Sequence, residues 1–172
     1  MQGPNSAATS RNVLPALARR GVFAGFFQPE TLHLDLGAGK YRRLETWARG
    51  CGVYAYSSDP YNLDPKRNAY AEDMVSSSGG AHTVSLSNVL NVIASDGAKL
   101  DLLEKAKGLL REGGSLLVTV YEGDGSGEGR ATRDGWQENK RLRDYEGLIR
   151  VVFKEVVKVT MKGGLIVARK GE

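Results

Sequence analysis

The sequence predicts an α/β fold: a mostly parallel sheet with a terminal antiparallel hairpin, abbreviated around its third strand. Three stretches predict it. Leu32 to Tyr41, Leu-His-Leu-Asp-Leu-Gly-Ala-Gly-Lys-Tyr, reads as a short apolar strand that runs into a tight glycine turn and hands over to a helix. Ala81 to Tyr121 reads strand, polar turn, helix, apolar strand, the alternation of a parallel unit. Phe153 to Thr160 and Leu165 to Arg169 read as two strands joined at Lys162-Gly163-Gly164, a hairpin turn.

Taken in order, Met1 to Arg11 is polar and rich in small residues, and a disordered tip at 1–11 is expected before a single domain at 12–172. The tip has no apolar core of the length an export signal needs, and a cytoplasmic protein is expected. Residues 12–20 have helical composition, with Gly21 read as the stop. Gly25 to Pro29 is a loop whose Phe26 and Phe27 anchor that helix. After the first strand at about 32–36, Tyr41 to Arg49 has the helix period, with Leu44, Trp47 and Ala48 on one side and Gly50 and Gly52 closing it.

Val53 to Asp59 alternates and ends in a carboxylate, a second strand with an acidic tip. Residues 60–81 carry Pro60, Pro65, Ser76 to Ser78, Gly79 and Gly80, so neither a full helix nor a third strand is expected there. Ala81 to Ile93 begins as a strand and ends in a turn. Asp96 to Arg111 then has the helix period, with Gly113-Gly114 ending it, and Gly114 to Tyr121 is a buried strand. Glu122 to Gly129 holds four glycines and three acids and reads either as a mobile connector or as a lid over a ligand. Its glycines stand where a calcium loop needs carboxylates. Thr132 to Leu148 is expected to be helical in part and to carry Trp136, Gln137 and Asn139.

Composition bounds the chemistry. Hydrophobic residues at 41% and charged residues at 26% of 172 are ordinary for a globular chain, and no apolar run has the length of a membrane span. Cys51, the single cysteine, excludes an intrachain disulfide and a multi-cysteine metal site, and no metal is expected. Cys51, His33 and His82 read as structural residues. The formal charge of +4 is mild, but Arg130, Arg133, Lys140, Arg141, Arg143 and Arg150 gather in one stretch.

The glycine turn places a ligand cleft at the carboxyl end of the first strand, where backbone amides and a helix N-terminus approach closely. A dinucleotide fingerprint would need Gly-x-Gly-x-x-Gly, and Lys40, Tyr41 and Arg42 follow Gly39 without a third glycine at that spacing. Asp59 follows Gly39 by 20 residues, and a carboxylate there can accept the hydroxyl hydrogens of a ribose. Asp59-Pro60 is equally good turn chemistry.

Asp35, Gly37 and Gly39 match the Asp/Glu-x-Gly-x-Gly of the first motif of the class I S-adenosylmethionine-dependent methyltransferases, and the segment resembles that motif, with Tyr41 where the family's third glycine often lies. The run from Ala81 to Tyr121, through Leu-Arg-Glu-Gly-Gly, resembles the family's fourth and fifth motifs, and the terminal hairpin resembles its closing strands. The resemblance spans about residues 30–170. It implies a Rossmann-like class I methyltransferase fold with S-adenosyl-L-methionine as cofactor, held by Asp35, Gly37, Ala38, Gly39, Asp59, Pro60, Asp73, Ser87 and Asn88. It implies an acceptor pocket beyond the carboxyl ends of the fourth and fifth strands, with Asn88, Tyr121 and Glu122 as the catalytic candidates and Ser87, Asn91 and Trp136 beside them. Glu72 is an alternative to Asp73 for the adenine amino group.

Family members that methylate exocyclic base amines carry Asp/Asn-Pro-Pro-Tyr/Phe after the fourth strand. Ser87-Asn88-Val89-Leu90 stands there, and Asp59-Pro60-Tyr61-Asn62 follows the second strand instead, which argues against an ordinary adenine or cytosine amino-methylating enzyme. Ser-Asn-Val-Leu-Asn-Val-Ile with Tyr-Glu-Gly-Asp-Gly-Ser-Gly and Trp-Gln-x-Asn is similar to small methyltransferase-like proteins of phages and bacteria, some associated with DNA modification. The expected function is methyl transfer to an acceptor left open, nucleic acid or a nucleotide among the candidates, with Arg130, Arg133, Lys140, Arg141 and Arg143 as its contacts. The alternative is a catalytically silent module that binds nucleic acid or a protein partner.

Overall fold

A computed structural model describes residues 11–171. The expected tip at 1–11 lies outside the described residues except for Arg11. The elements in order are α1 (Ala16–Phe23), β1 (Leu32–Leu36), α2 (Arg43–Gly50), β2 (Tyr54–Ser58), α3 (Pro65–Ser77), β3 (Ala81–Ser87), a 3-10 turn (Leu90–Val92), α4 (Asp96–Leu109) and β4 (Leu110–Thr119). There follow β5 (Gly129–Thr132), β6 (Gly135–Glu138), a second 3-10 turn (Leu142–Tyr145), α5 (Glu146–Val152), β7 (Glu155–Val159) and β8 (Leu165–Arg169).

Six strands form one sheet in the order β2-β1-β3-β4-β8-β7. β1 pairs in parallel with β2 and β3, and β3 with β4, whereas β8 runs antiparallel to both β4 and β7. Every residue of β1 is buried, as a parallel strand covered on both faces must be. Leu32, Leu34 and Leu36 pack with α3, α4 and α5 through Val75, Leu103, Ala106 and Ile149. On the other face α1 and α2 bring Leu17, Leu44 and Ala48 against Ala55, Leu117 and Leu165. No helix among the described residues is long and apolar enough to cross a membrane.

The expected parallel sheet and terminal hairpin are present. So is the abbreviation: among the described residues no strand flanks β2 on its outer side. Four local expectations are corrected. Gly21 lies inside α1 rather than ending it, because the Phe27 ring fills the space a Cβ would take. The helix expected to be absent from 60–81 is complete, with Asp64 as its N-cap, accepting from Lys66 N–H at 2.8 Å, and Pro65 at the first helical position, where its missing donor is harmless. β4 starts at Leu110, ahead of Gly113-Gly114, and the register shift between Ala81↔Leu110 and Thr83↔Ser115 shows that the glycines form a bulge rather than a helix stop. The region expected to be partly helical from Thr132 opens with the antiparallel hairpin β5–β6, and only 142–152 is helical. Gly129 permits this hairpin, since the Trp136 ring lies where its side chain would be.

Candidate functional site

The strand order reverses at β1, so the carboxyl ends of β2, β1, β3 and β4 line one crevice. Its floor is the turn after β1. Gly37 and Gly39 have φ of 76° and 68°, left-handed values that favour glycine, and Gly37 N–H donates to the Ser58 carbonyl at 2.8 Å. A Cβ on Gly37 would stand 2.6 Å from Val89 Cγ2, so the loops after β1 and β3 meet over a residue without a side chain.

Asp59 faces this turn from the end of β2 and is only 3% exposed. Its Oδ2 accepts from Gly39 N–H at 2.9 Å and from Asn62 Nδ2 at 2.9 Å. Its Oδ1 accepts from the N–H groups of Tyr61 at 2.9 Å and Asn62 at 3.1 Å. Asn68, on α3, accepts from Asp59 N–H at 2.9 Å and donates to its carbonyl at 3.0 Å, fixing the backbone as well. The carboxylate is thus tied to the glycine turn by a direct hydrogen bond across 20 residues of chain.

Behind the turn runs a buried polar chain. Ser85 Oγ donates to Asp35 Oδ1 at 2.6 Å, and the two nitrogens of His33 reach Ser85 Oγ at 3.0 Å and Thr83 Oγ1 at 2.7 Å. Since Ser85 gives its hydrogen to the carboxylate, it must accept from His33 Nε2–H, which leaves Nδ1 to accept from Thr83. Burial, with the charges of Asp59 and Glu45, outweighs the Ser85 bond and pushes the Asp35 carboxyl up to about 7. Burial holds His33 down at about 3, so it is neutral, the structural role expected of it.

At the end of β3, Ser87 Oγ lies 3.4 Å from Thr119 Oγ1. Asn88 is exposed with φ of 59°, a conformation uncommon outside glycine, and its N–H donates to the Thr119 carbonyl at 2.9 Å. Beyond β4, Tyr121 is 61% exposed, while Glu122 Oε1 accepts from Leu142 N–H at 2.8 Å. Gln137 spans the gap, accepting from Asn91 Nδ2 at 3.2 Å and donating to the Tyr121 carbonyl at 3.3 Å, so β6 rests over the end of the crevice. Asp35, Gly37, Ala38, Gly39, Asp59, Ser87 and Asn88 therefore lie on adjacent strand ends. Pro60 is exposed just past Asp59. Asp73 stands on the exposed face of α3, and no hydrogen bond among the described residues ties it to the turn. Glu72, its neighbour, accepts from Ser58 Oγ and Lys105 Nζ, each at 2.7 Å.

Of the basic cluster, Arg130 is on β5 and Arg133 at the hairpin tip, both exposed, with Arg141 at the start of the second 3-10 turn and Arg143 within it. Lys140 is taken up by Glu138 at 2.8 Å. Glu138 also accepts from Lys99 at 2.7 Å and Tyr145 Oη at 2.9 Å; burial alone would raise its carboxyl, but bonds from Lys140, Lys99 and Tyr145 outweigh burial and hold it below the usual range. Lys99 itself is 1% exposed and also reaches Asp96 at 3.0 Å. This network pins the end of β6 to α4. It escaped sequence reading because Lys99 falls on an ordinary helical pattern. Asn62 and Asn68 escaped too, although an asparagine three residues after an aspartate is a turn signal.

A cavity of about 500 Å³ lies at the other end of the sheet, lined by Phe26, Phe27, His82, Thr83, Val157 and Val167, and shares no residue with the turn. Among the described residues no group of three or more His, Cys, Asp or Glu could hold a metal ion.

No family model and no curated protein sequence matches the chain. Solved structures do. A 1,6-didemethyltoxoflavin-N1-methyltransferase of Burkholderia thailandensis, with 1,6-didemethyltoxoflavin and S-adenosylhomocysteine bound, is similar at TM-score 0.64 and 20% identity, over 92% of this chain and 80% of that one. An amino pentose methyltransferase of calicheamicin biosynthesis from Micromonospora echinaspora, with S-adenosylmethionine bound, is similar at TM-score 0.57 and 16% identity, over 96% and 90% of the two chains. A TehB-like S-adenosylmethionine-dependent methyltransferase from Corynebacterium glutamicum is similar at TM-score 0.54 and 18% identity, over 97% and 93%. With the reversal of strand order at β1, the single reversed strand β8 and these likenesses together, the chain has the class I S-adenosylmethionine-dependent methyltransferase fold.

Proposed function

We propose that the protein is an S-adenosylmethionine-dependent methyltransferase acting in the cytoplasm on an anionic acceptor, a nucleotide or nucleic acid. The observation that carries the cofactor reading is the bond from Gly39 N–H to Asp59 Oδ2, which sets an acidic strand tip beside a turn without side chains at the switch point of the sheet. The residues present fit an adenosyl group: the turn after β1 carries no side chain at Gly37 or Gly39, so its backbone can be approached closely, and Asp59 offers a carboxylate to ribose hydroxyls. The bound sulfonium supplies an activated methyl group and its own leaving group. What the chain contributes is position and electrostatics. Asp35, Gly37, Ala38 and Gly39 hold the methionine side, Asp59 and Pro60 the nucleoside, and Ser87 and Asn88 border both. The left-handed Asn88, exposed just past β3, orients the acceptor in line together with Tyr121. Glu122 holds the Leu142 N–H and so positions the segment that follows the hairpin. Asp73, on the exposed face of α3, is the remaining candidate for the adenine amino group. Arg130 and Arg133, exposed on the β5–β6 hairpin with Arg141 and Arg143 nearby, favour an acceptor bearing phosphate.

Isothermal titration with S-adenosylmethionine and S-adenosylhomocysteine tests the cofactor reading. Binding in the wild type and at least tenfold loss in Gly37→Val and in Asp59→Ala support it; no binding at millimolar ligand, or unchanged affinity in both variants, overturns it. Transfer of labelled methyl groups to DNA, RNA and free nucleotides tests the acceptor. Salt-dependent nucleic-acid binding that survives Gly37→Val, without methyl transfer, would identify a silent binding module instead.

A further inference from the structure

Asp59 has no acceptor capacity to spare. An ionised carboxylate offers about four lone-pair directions, and Gly39 N–H, Tyr61 N–H, Asn62 N–H and Asn62 Nδ2–H, at 2.9 to 3.1 Å, take four. Three of these donors are backbone groups: Gly39 N–H belongs to the glycine turn, and those of Tyr61 and Asn62 are fixed by the turn at 59–63, which is itself held by the bond from Leu63 N–H to the Asp59 carbonyl at 3.0 Å and by Asn68. The fourth is a side-chain amide on rotatable bonds. It shares Oδ2 with Gly39 N–H, the oxygen next to the glycine turn.

We propose that the Asn62 carboxamide is a latch that occupies the hydroxyl-binding position on Asp59 and swings away when a ribose binds. This rests on the cofactor reading of Asp59. The first ribose hydroxyl takes the place of Asn62 Nδ2 on Oδ2, while the three backbone donors keep the carboxylate aimed at the turn. Because the latched state cannot accept the ribose, apparent affinity falls in proportion to the unlatched fraction, and the cofactor must displace a charge-assisted hydrogen bond to bind. Asn62 thereby sets how tightly the protein holds its nucleoside without contributing to methyl transfer.

The test compares wild type, Asn62→Ala and Asn62→Ser by calorimetry. The ligands are S-adenosylhomocysteine, adenosine and 2′,3′-dideoxyadenosine, and unfolding curves confirm that each variant is folded. Loss of the latch tightens S-adenosylhomocysteine roughly ten- to a hundredfold, the worth of one hydrogen bond to a charged group. The same gain appears with adenosine and vanishes with 2′,3′-dideoxyadenosine, which has no hydroxyl to place on Asp59. A change of loop stability alone would shift both nucleosides equally. Unchanged or weaker binding in both variants, with a wild type that binds, overturns the latch and leaves the cofactor reading standing; so does an equal gain for the dideoxy nucleoside. If no form binds S-adenosylhomocysteine at millimolar concentration, the cofactor reading falls and the latch with it.

Discussion

Gly37 and Val89 join the loops after β1 and β3, and a double-mutant cycle measures that junction. In Gly37→Ala the new methyl group meets two penalties. At φ of 76° an alanine occupies the left-handed region at a cost of about 1–2 kcal/mol. Its Cβ would also stand 2.6 Å from Val89 Cγ2, an overlap that repacking relieves at about 1–2 kcal/mol. The sum, about 2–4 kcal/mol, lowers the melting temperature by about 5–15 °C for a chain of this size. Val89→Ala alone costs about 1–2 kcal/mol through the methyl groups removed from a buried position. In the double variant the overlap is gone while the backbone strain and the loss of the Val89 methyl groups remain, so it is more stable than the two single effects summed by about 1–2 kcal/mol. Urea unfolding of the four proteins measures this directly. Additive effects, or a Gly37→Ala protein as stable as wild type, would refute the close approach of the two loops.

Three further outcomes are expected. Asp35, at about 7 in the fold against 3.8 unfolded, keeps its proton longer when folded, so its contribution to stability declines as pH rises from about 4 to 7. His33, at about 3 against 6.5, does the reverse, its contribution growing over about pH 3 to 6.5, and the two slopes oppose each other between about 4 and 6.5. Asp35→Asn removes the first, so the variant's stability climbs more steeply with pH than wild type, by up to about 1.4 kcal/mol per unit; superimposable slopes would refute the buried Asp35. Glu138→Gln leaves Lys99, 1% exposed, with only the solvent-facing Asp96, and costs about 3 kcal/mol, measured as a fall in melting temperature of about 6–12 °C. Adding Lys99→Met recovers part of that loss, and a melting temperature that does not move in Glu138→Gln would show that the hairpin is not held by this network. Arg133→Ala, at an exposed tip, leaves stability unchanged within about 0.5 kcal/mol and weakens any nucleic-acid binding while reducing its salt dependence.

Long patterned stretches were legible in the sequence and short or mutually dependent ones were not. β1 could be read because five buried residues end in glycines, and the β7–β8 hairpin because Gly163-Gly164 separates two apolar runs. α3 was hidden by Pro65, which reads as a breaker unless Asp64 is recognised as the cap that makes it a first helical residue. β5 and β6 have four residues each, too few to show alternation, and their pairing depends on Trp136 covering Gly129. In the site, Asp35, the glycines and Asp59 were legible because each stands at or just past the carboxyl end of a patterned strand. Glu122 was legible as a rim residue, yet its bond to Leu142 depends on a turn 20 residues away. Ser85 and Asn62 were not legible, since their importance lies in which carboxylate each one reaches.

The central claim is that the glycine turn and Asp59 form a nucleoside site. Titration of the isotopically labelled protein with S-adenosylhomocysteine, followed by amide NMR, tests it most directly. The largest shifts are predicted at Gly37, Ala38, Gly39, Asp59, Asn62 and Asn88. Shifts confined to Phe27, Thr83 and Val167 around the cavity at the opposite end of the sheet, or none at saturating ligand, would contradict it.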